Sequence, residues 1–110
     1  MPLFVTIGYG DQAGYDRTAP AVRNAAHAHD ARLKDNGVVM GMATTPVQVR
    51  NPDASGVETA QGAYMSSGLP VAGFALLEAD SLADAIEMVS QSPCAVAHGV
   101  IEVWPLKQGS

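Results

Sequence analysis

The sequence is poor in cysteine, in aromatic rings and in positive charge, and each shortage excludes something. Cys94 is the one cysteine in 110 residues, so no internal disulfide forms and the chain is expected to suit a reducing cytoplasm. Six basic residues stand against eleven acidic ones, for a net charge of −5, and the basic ones form no cluster. Without a basic patch there is nothing to displace counterions from a phosphate backbone, so no nucleic-acid partner is expected. No apolar run approaches the ~20 residues a membrane span needs. The opening "MPLFVTIGYGD" lacks the basic n-region of a secretory leader, and its apolar stretch is too short for one.

Cofactor and metal patterns are also missing. The glycines of "GYGDQAG" are not followed at once by a helix, so they do not build the phosphate cradle of a dinucleotide site. No G-x-S-x-G elbow is present. His27 and His29 are two residues apart and diverge on a helix, whereas helical metal pairs use a spacing of three or four. Cys94 and His98 have that spacing but straddle Pro93-bounded connecting chain. No metal and no cofactor is expected.

What the chain does have is apolar content, 47% of residues, which is rich for one small domain and points to a second buried surface such as a dimer interface. Leu3, Val5, Ile7 and Tyr9 alternate in one phase, so residues 3–9 read as a strand. A glycine-punctuated loop follows. A first helix starts near Thr18, read as its N-cap, takes Pro20 in its first turn and stops at Gly37. Residues 38–43 and 46–50 read as strands. The turn "NPDASG" returns into a short extension, "VETA", which makes the third strand one side of a hairpin arm. A loop over 61–70 leads to "VAGFALLE", apolar in both phases as for a strand buried on both faces. A second helix is capped by Asp80 or Ser81, with Asp84 as the box partner and Leu82, Ala85, Ile86 and Val89 as its apolar stripe. After a connector broken at Pro93 the last strand covers 100–106. Residues 1–106 therefore form one domain with a frayed tail at 107–110.

Two strand–helix–strand units in series give a ferredoxin-like βαββαβ fold of α+β class, an antiparallel sheet with an added arm. Two helices cover one face of such a sheet. Because the central strand is apolar in both phases, a second copy packed sheet to sheet is expected on the other face: the partner is the chain itself, as a homodimer.

His29 stands on the sheet-facing stripe of the first helix, seven residues from Val22 and four from Leu33, and His27 lies about 160° away around the helix. An inward histidine admits two readings. It is a general base beside a pocket, with an ordinary pKa close to neutrality, or a neutral core residue hydrogen-bonded to backbone or hydroxyl. His27 reads as solvated surface. Glu102, between apolar neighbours, reads as a solvated edge charge or a partner for Arg32 or Arg50. Met40, Met42 and Met65 read as gap-fillers.

Three stretches carry a family likeness. "FVTIGYGD", "ETAQGAYMSSGLPVAGFALLEADSLADAIE" and "IEVWPL" resemble the strand-then-"YGDE" opening, the "DGPF…GGYYLIDVPDLDEALE" stretch and the closing "VEVRPL" of the YCII-related, or DGPF-domain, family of small bacterial proteins. The likeness spans nearly the whole chain. The "DGPF" motif stands here as Gln61-Gly62-Ala63-Tyr64, without its aspartate. The resemblance implies a dimeric α+β barrel. Some members carry a histidine in an "AHLARL" helix paired with an aspartate before a proline, with a lyase-like, dehydrohalogenase type of chemistry suggested for them. Carried over, "AHDARL" puts His29 at the histidine and Ser92 at the aspartate, and Asp11, at the end of the first strand, becomes either the replacement acid or a turn residue capping its own loop. Tyr64 and Ser66 fall in the motif loop as candidate pocket residues, or Tyr64 merely covers the core edge. Trp104 replaces an arginine of relatives; with Ser92 it is a candidate ligand-binding residue, or it packs at the sheet end or dimer seam. Two functions follow: a dimeric binding module for a small organic ligand beside His29, or a cofactor-free lyase-like enzyme using His29 as general base.

Overall fold

The computed structural model describes residues 2–107, and within them the two strand–helix–strand units close into one sheet. Its strands are β1 (Leu3–Tyr9), β2 (Val39–Met42), β5 (Val71–Glu78) and β6 (Val100–Pro105), in the order β2-β5-β1-β6. All neighbours are antiparallel, which is the ferredoxin-like arrangement. The arm is a separate two-stranded hairpin of β3 (Val47–Arg50) and β4 (Glu58–Gln61), paired only with each other. It stretches the molecule to 53 × 36 × 21 Å. The radius of gyration is 16.0 Å, against roughly 13 Å for a compact chain of this length. Of the expected tail, residues 108–110 lie outside the described residues. No described helix is long and apolar enough to cross a membrane.

The long helix is α2 (Pro20–Asp35), and its end forms as the sequence dictates. Gly37 takes φ 97°, the Gly37 N–H donates to the Lys34 carbonyl, and the Val38 N–H donates to the Leu33 carbonyl. Leu33 and Val38, tied by that turn, are both buried in the core. Its start differs from expectation. Residues 12–17, read as loop, form the short helix α1 (Gln12–Arg17), because the Asp11 carboxylate accepts the Gly14 N–H and caps it. Thr18 does not cap α2; its hydroxyl donates to the Gly14 carbonyl at 2.8 Å, closing α1 instead. The connector after α3 (Leu82–Val89) also contains a helical turn, α4 (Pro93–Val96), started by Pro93 at its first position. Ser81 caps α3 by accepting the Asp84 N–H.

Strand register sorts the sheet's side chains onto two faces. On the helix-covered face Phe4 pairs with Leu77, Thr6 with Ala75 and Gly8 with Gly73. Phe4 and Leu77 meet Leu33, Val38, Ala85 and Val89 there, and this is the core. The other face carries Leu3, Val5, Ile7, Tyr9, Phe74, Leu76, Val39, Val100 and Trp104; Ile7 and Tyr9 are buried there, whereas Phe74, Leu76, Val39, Val100 and Trp104 are exposed. Strand β5 is thus buried on its helix side alone: Phe74 is 48% exposed and Leu76 40%. On α3 the stripe is narrower than its apolar spacing, for Ala85 and Val89 are buried while Leu82 and Ile86 face solvent.

Candidate functional site

The helix-covered face tapers. At one end Phe4 and Leu77 fill the space beneath α2 and α3. Two and four residues along, the same face offers only Thr6 and Ala75, then Gly8 and Gly73. Side chains that small leave a hollow of about 680 Å3 beneath α1, α2 and α4. Met40, Ile101 and Leu33 give it apolar walls. The Cys94 thiol rests directly over Gly8, where a Cβ would stand 2.9 Å from the sulfur. Glycine at Gly73 is required for a different reason, since a Cβ there would meet the Gly41 carbonyl of β2 at 2.5 Å.

A second stripe of α2 runs beside the buried one, Arg23, His27, Asp30 and Lys34 at offsets of four, seven and eleven, and its last three members line this hollow. The Arg23 guanidinium lies over the Tyr15 ring, 4.9 Å from its centre. The Tyr15 hydroxyl is 2.8 Å from His27 Nε2, with the rings tilted at 54°. Deeper in, the buried Ser92 donates its hydroxyl to Asp30 Oδ1 at 2.8 Å. Burial, and then the Asp30 charge, push the Cys94 thiol above its ordinary value, so it is a neutral lining group at neutral pH.

His29 belongs to a different place. It is half-buried beside a smaller groove of about 340 Å3 between α2 and the α3–α4 connection, with Val22, Gln91 and Val96. Its Nε2 lies 2.6 Å from the Met88 carbonyl. A carbonyl only accepts, so Nε2 carries the proton and donates it. Met88 is one of the last residues of α3, whose terminal carbonyls have no partner within the helix. Nearby, the Glu87 carbonyl takes the Ser90 N–H and the Val89 carbonyl takes the Ser92 N–H. His29 completes that set from the neighbouring helix.

The structure therefore does not bring His29 and Asp11 together. Asp11 is bonded to Gly14, as the turn-capping alternative had it, and lies at the rim of the large hollow. Ser92 does line the hollow, but its partner is Asp30, one residue past His29. Tyr64 is 81% exposed and Ser66 is exposed, with the Arg50 guanidinium 5.7 Å from the Tyr64 ring centre; neither lines the hollow. Trp104 is half-exposed on the open face of the sheet. Glu102 pairs with no arginine: on that same face it accepts the Tyr9 hydroxyl at 2.7 Å, with Trp104 Nε1 at 3.5 Å. His98, at φ 63°, ends α4 and is exposed. Among the described residues no group of histidine, cysteine and carboxylate side chains is arranged to hold a metal ion.

Reading α2 through one inward stripe missed Tyr15, His27 and Asp30. The signal was present as the second polar stripe, which is regular enough to mark a second facing surface. Compared with known proteins, the chain matches no protein-family model and no curated protein.

Proposed function

We propose that this chain is a small-molecule-binding protein of the YCII-related kind, acting as a homodimer joined sheet to sheet in a reducing cytoplasm. Its ligand occupies the hollow over Gly8 and Gly73. The observation that carries this reading is the hollow itself: an apolar, side-chain-poor floor under a few converging polar groups is the ordinary build of a ligand site. The ferredoxin-like strand order agrees with what the family resemblance implies, and the uncovered apolar face supports a second copy there. The lone Cys94, half-buried and free, supports a reducing compartment.

The test is to fill the floor. In Ala75→Leu the added side chain projects toward the helices, and compounds from a library of small aromatic and cyclic molecules that raise the melting temperature of the wild type should no longer do so. Ligand-induced stabilisation that survives in the filled variant would place the site elsewhere.

A second reading, cofactor-free proton abstraction of the lyase type, is supported by the Tyr15–His27 pair at the mouth of the hollow. In that reading the base is His27 rather than His29, whose Nε2 proton is engaged on Met88. His27→Gln should then abolish exchange of a bound ligand's acidic C–H with deuterium while leaving binding intact.

A further inference from the structure

We infer that the hollow selects a compact ligand ending in a hydrogen-bond donor, taking a protonated amine ahead of an alcohol and either ahead of a carboxylate or phosphate. The inference rests on the binding role proposed above and adds the chemistry of what is bound.

The deepest charged group in the hollow is Asp30, half-buried on α2. Ser92, itself 7% exposed, holds Asp30 Oδ1 with its hydroxyl proton at 2.8 Å. That bond commits the serine proton, which leaves Asp30 Oδ2 and the lone pairs of the Ser92 oxygen as acceptors on two residues that line the hollow. The described residues give Oδ2 no hydrogen-bond partner. A carboxylate with one oxygen already held by a hydroxyl is a receptor for a further donor, and it disfavours an anion. Cys94, two residues from Ser92, lies close enough to Asp30 for that charge to add to burial in raising the thiol above its ordinary value.

The other charged or titratable lining groups do not reverse this. Asp11 is a second carboxylate at the rim, occupied by the Gly14 N–H. His27 is turned to the Tyr15 hydroxyl. Lys34 is exposed one turn beyond Asp30, where water and salt screen its ammonium. On the floor, Gly73 and Ala75 present no long side chain to a planar body lying beside the Cys94 thiol that covers Gly8. The ligand class that fits is a flat apolar group with an amine or hydroxyl on a short arm.

A matched series of phenethylamine, phenethyl alcohol and phenylacetate tests this on the full chain by calorimetric titration, with the Gly8 and Gly73 amide resonances reporting the place of binding. The expected order is amine, alcohol, carboxylate, with roughly tenfold between the first and last. Asp30→Asn keeps the size of the side chain and should bring amine and alcohol to equal affinity, whereas Lys34→Ala should leave the order unchanged. Tightest binding of phenylacetate, lost in Lys34→Ala, would overturn the ligand class while leaving the hollow as the site. An order unmoved by Asp30→Asn would likewise overturn it. Should none of the three disturb Gly8 and Gly73, the donor-ligand proposal fails; if the library compounds also stabilise Ala75→Leu as they do the wild type, the binding role of the hollow fails with it.

Discussion

His29 and Met88 join two helices end to side: the imidazole Nε2–H of α2 donates to the Met88 carbonyl near the end of α3, 2.6 Å away and 59 positions along the chain. The bond occupies a carbonyl that α3 cannot satisfy itself, which makes His29 a tie between the helices. His29→Ala should cost about 1–2 kcal/mol in urea unfolding, the loss of one bond plus a partly buried carbonyl left without a donor. Ligand affinity in the hollow should not change. A variant that unfolds at the wild-type midpoint but loses all binding would return His29 to the functional site.

The contact between Gly8 and the Cys94 sulfur gives a double-mutant cycle. Gly8→Ala alone pushes a methyl group into a thiol 2.9 Å away and should cost about 1–2 kcal/mol. With Cys94→Ala the nearest remaining contact is the residue 94 Cβ at 3.4 Å, an ordinary distance, and most of that loss should be recovered. Coupling of about 1 kcal/mol is expected. Additive effects would mean that the sulfur does not press on β1. Gly73→Ala has no such rescue, because its obstacle is the backbone carbonyl of Gly41.

Tyr9 has a pH dependence whose sign follows from its partner. The hydrogen bond to Glu102, then burial, then the Glu102 charge all raise the Tyr9 phenol above its ordinary value of 10.0. The folded state holds this proton more tightly than the unfolded state. The stability Tyr9 adds is therefore complete below the unfolded value and is lost as pH rises through the higher folded value. Denaturation midpoints should fall on the alkaline side more steeply for the wild type than for Tyr9→Phe, and the Tyr9 phenolate absorbance should develop late. Identical alkaline limbs in the two proteins would show that the pair does not form.

Assembly is checked at the open face. Light scattering of the wild type should give about twice the 11.4 kDa of one chain. Phe74→Glu puts a carboxylate at the middle of the uncovered sheet, in register with Ile7, and should shift the protein to a folded monomer. A wild type that is monomeric at micromolar concentration would remove the dimer from the proposal.

Much of the fold is legible in the residues because its determinants are local. Alternation from Leu3 to Tyr9, the Gly37 stop and the Ser81 cap each act within a few positions, and the apolar run from Val71 to Leu77 marks strand β5. The hollow is not local. It exists because Gly8 and Gly73, 65 positions apart in sequence, fall opposite each other across two strands, and no pattern within either strand sets that register. Helix α1 is hidden by the glycine-punctuated stretch around it, and the bond from the Gly14 N–H to Asp11 is what turns that loop into a helix. A single inward face for α2 leaves His27 to solvent. It is exposed, as expected, yet it meets a helix that was not anticipated.

The arm has a last consequence for the way the chain is threaded. Its tip, at Asp53 and Ala54, divides the sequence into a first part holding β1 and β2 and a second holding β5 and β6. In the sheet those strands alternate, β2-β5-β1-β6, so each part supplies every other strand and neither contains two neighbours. A cut at the tip would leave two pieces like the interlaced fingers of two hands. Neither piece can make a single backbone hydrogen bond of the main sheet alone, and every one of them re-forms only when the two recombine.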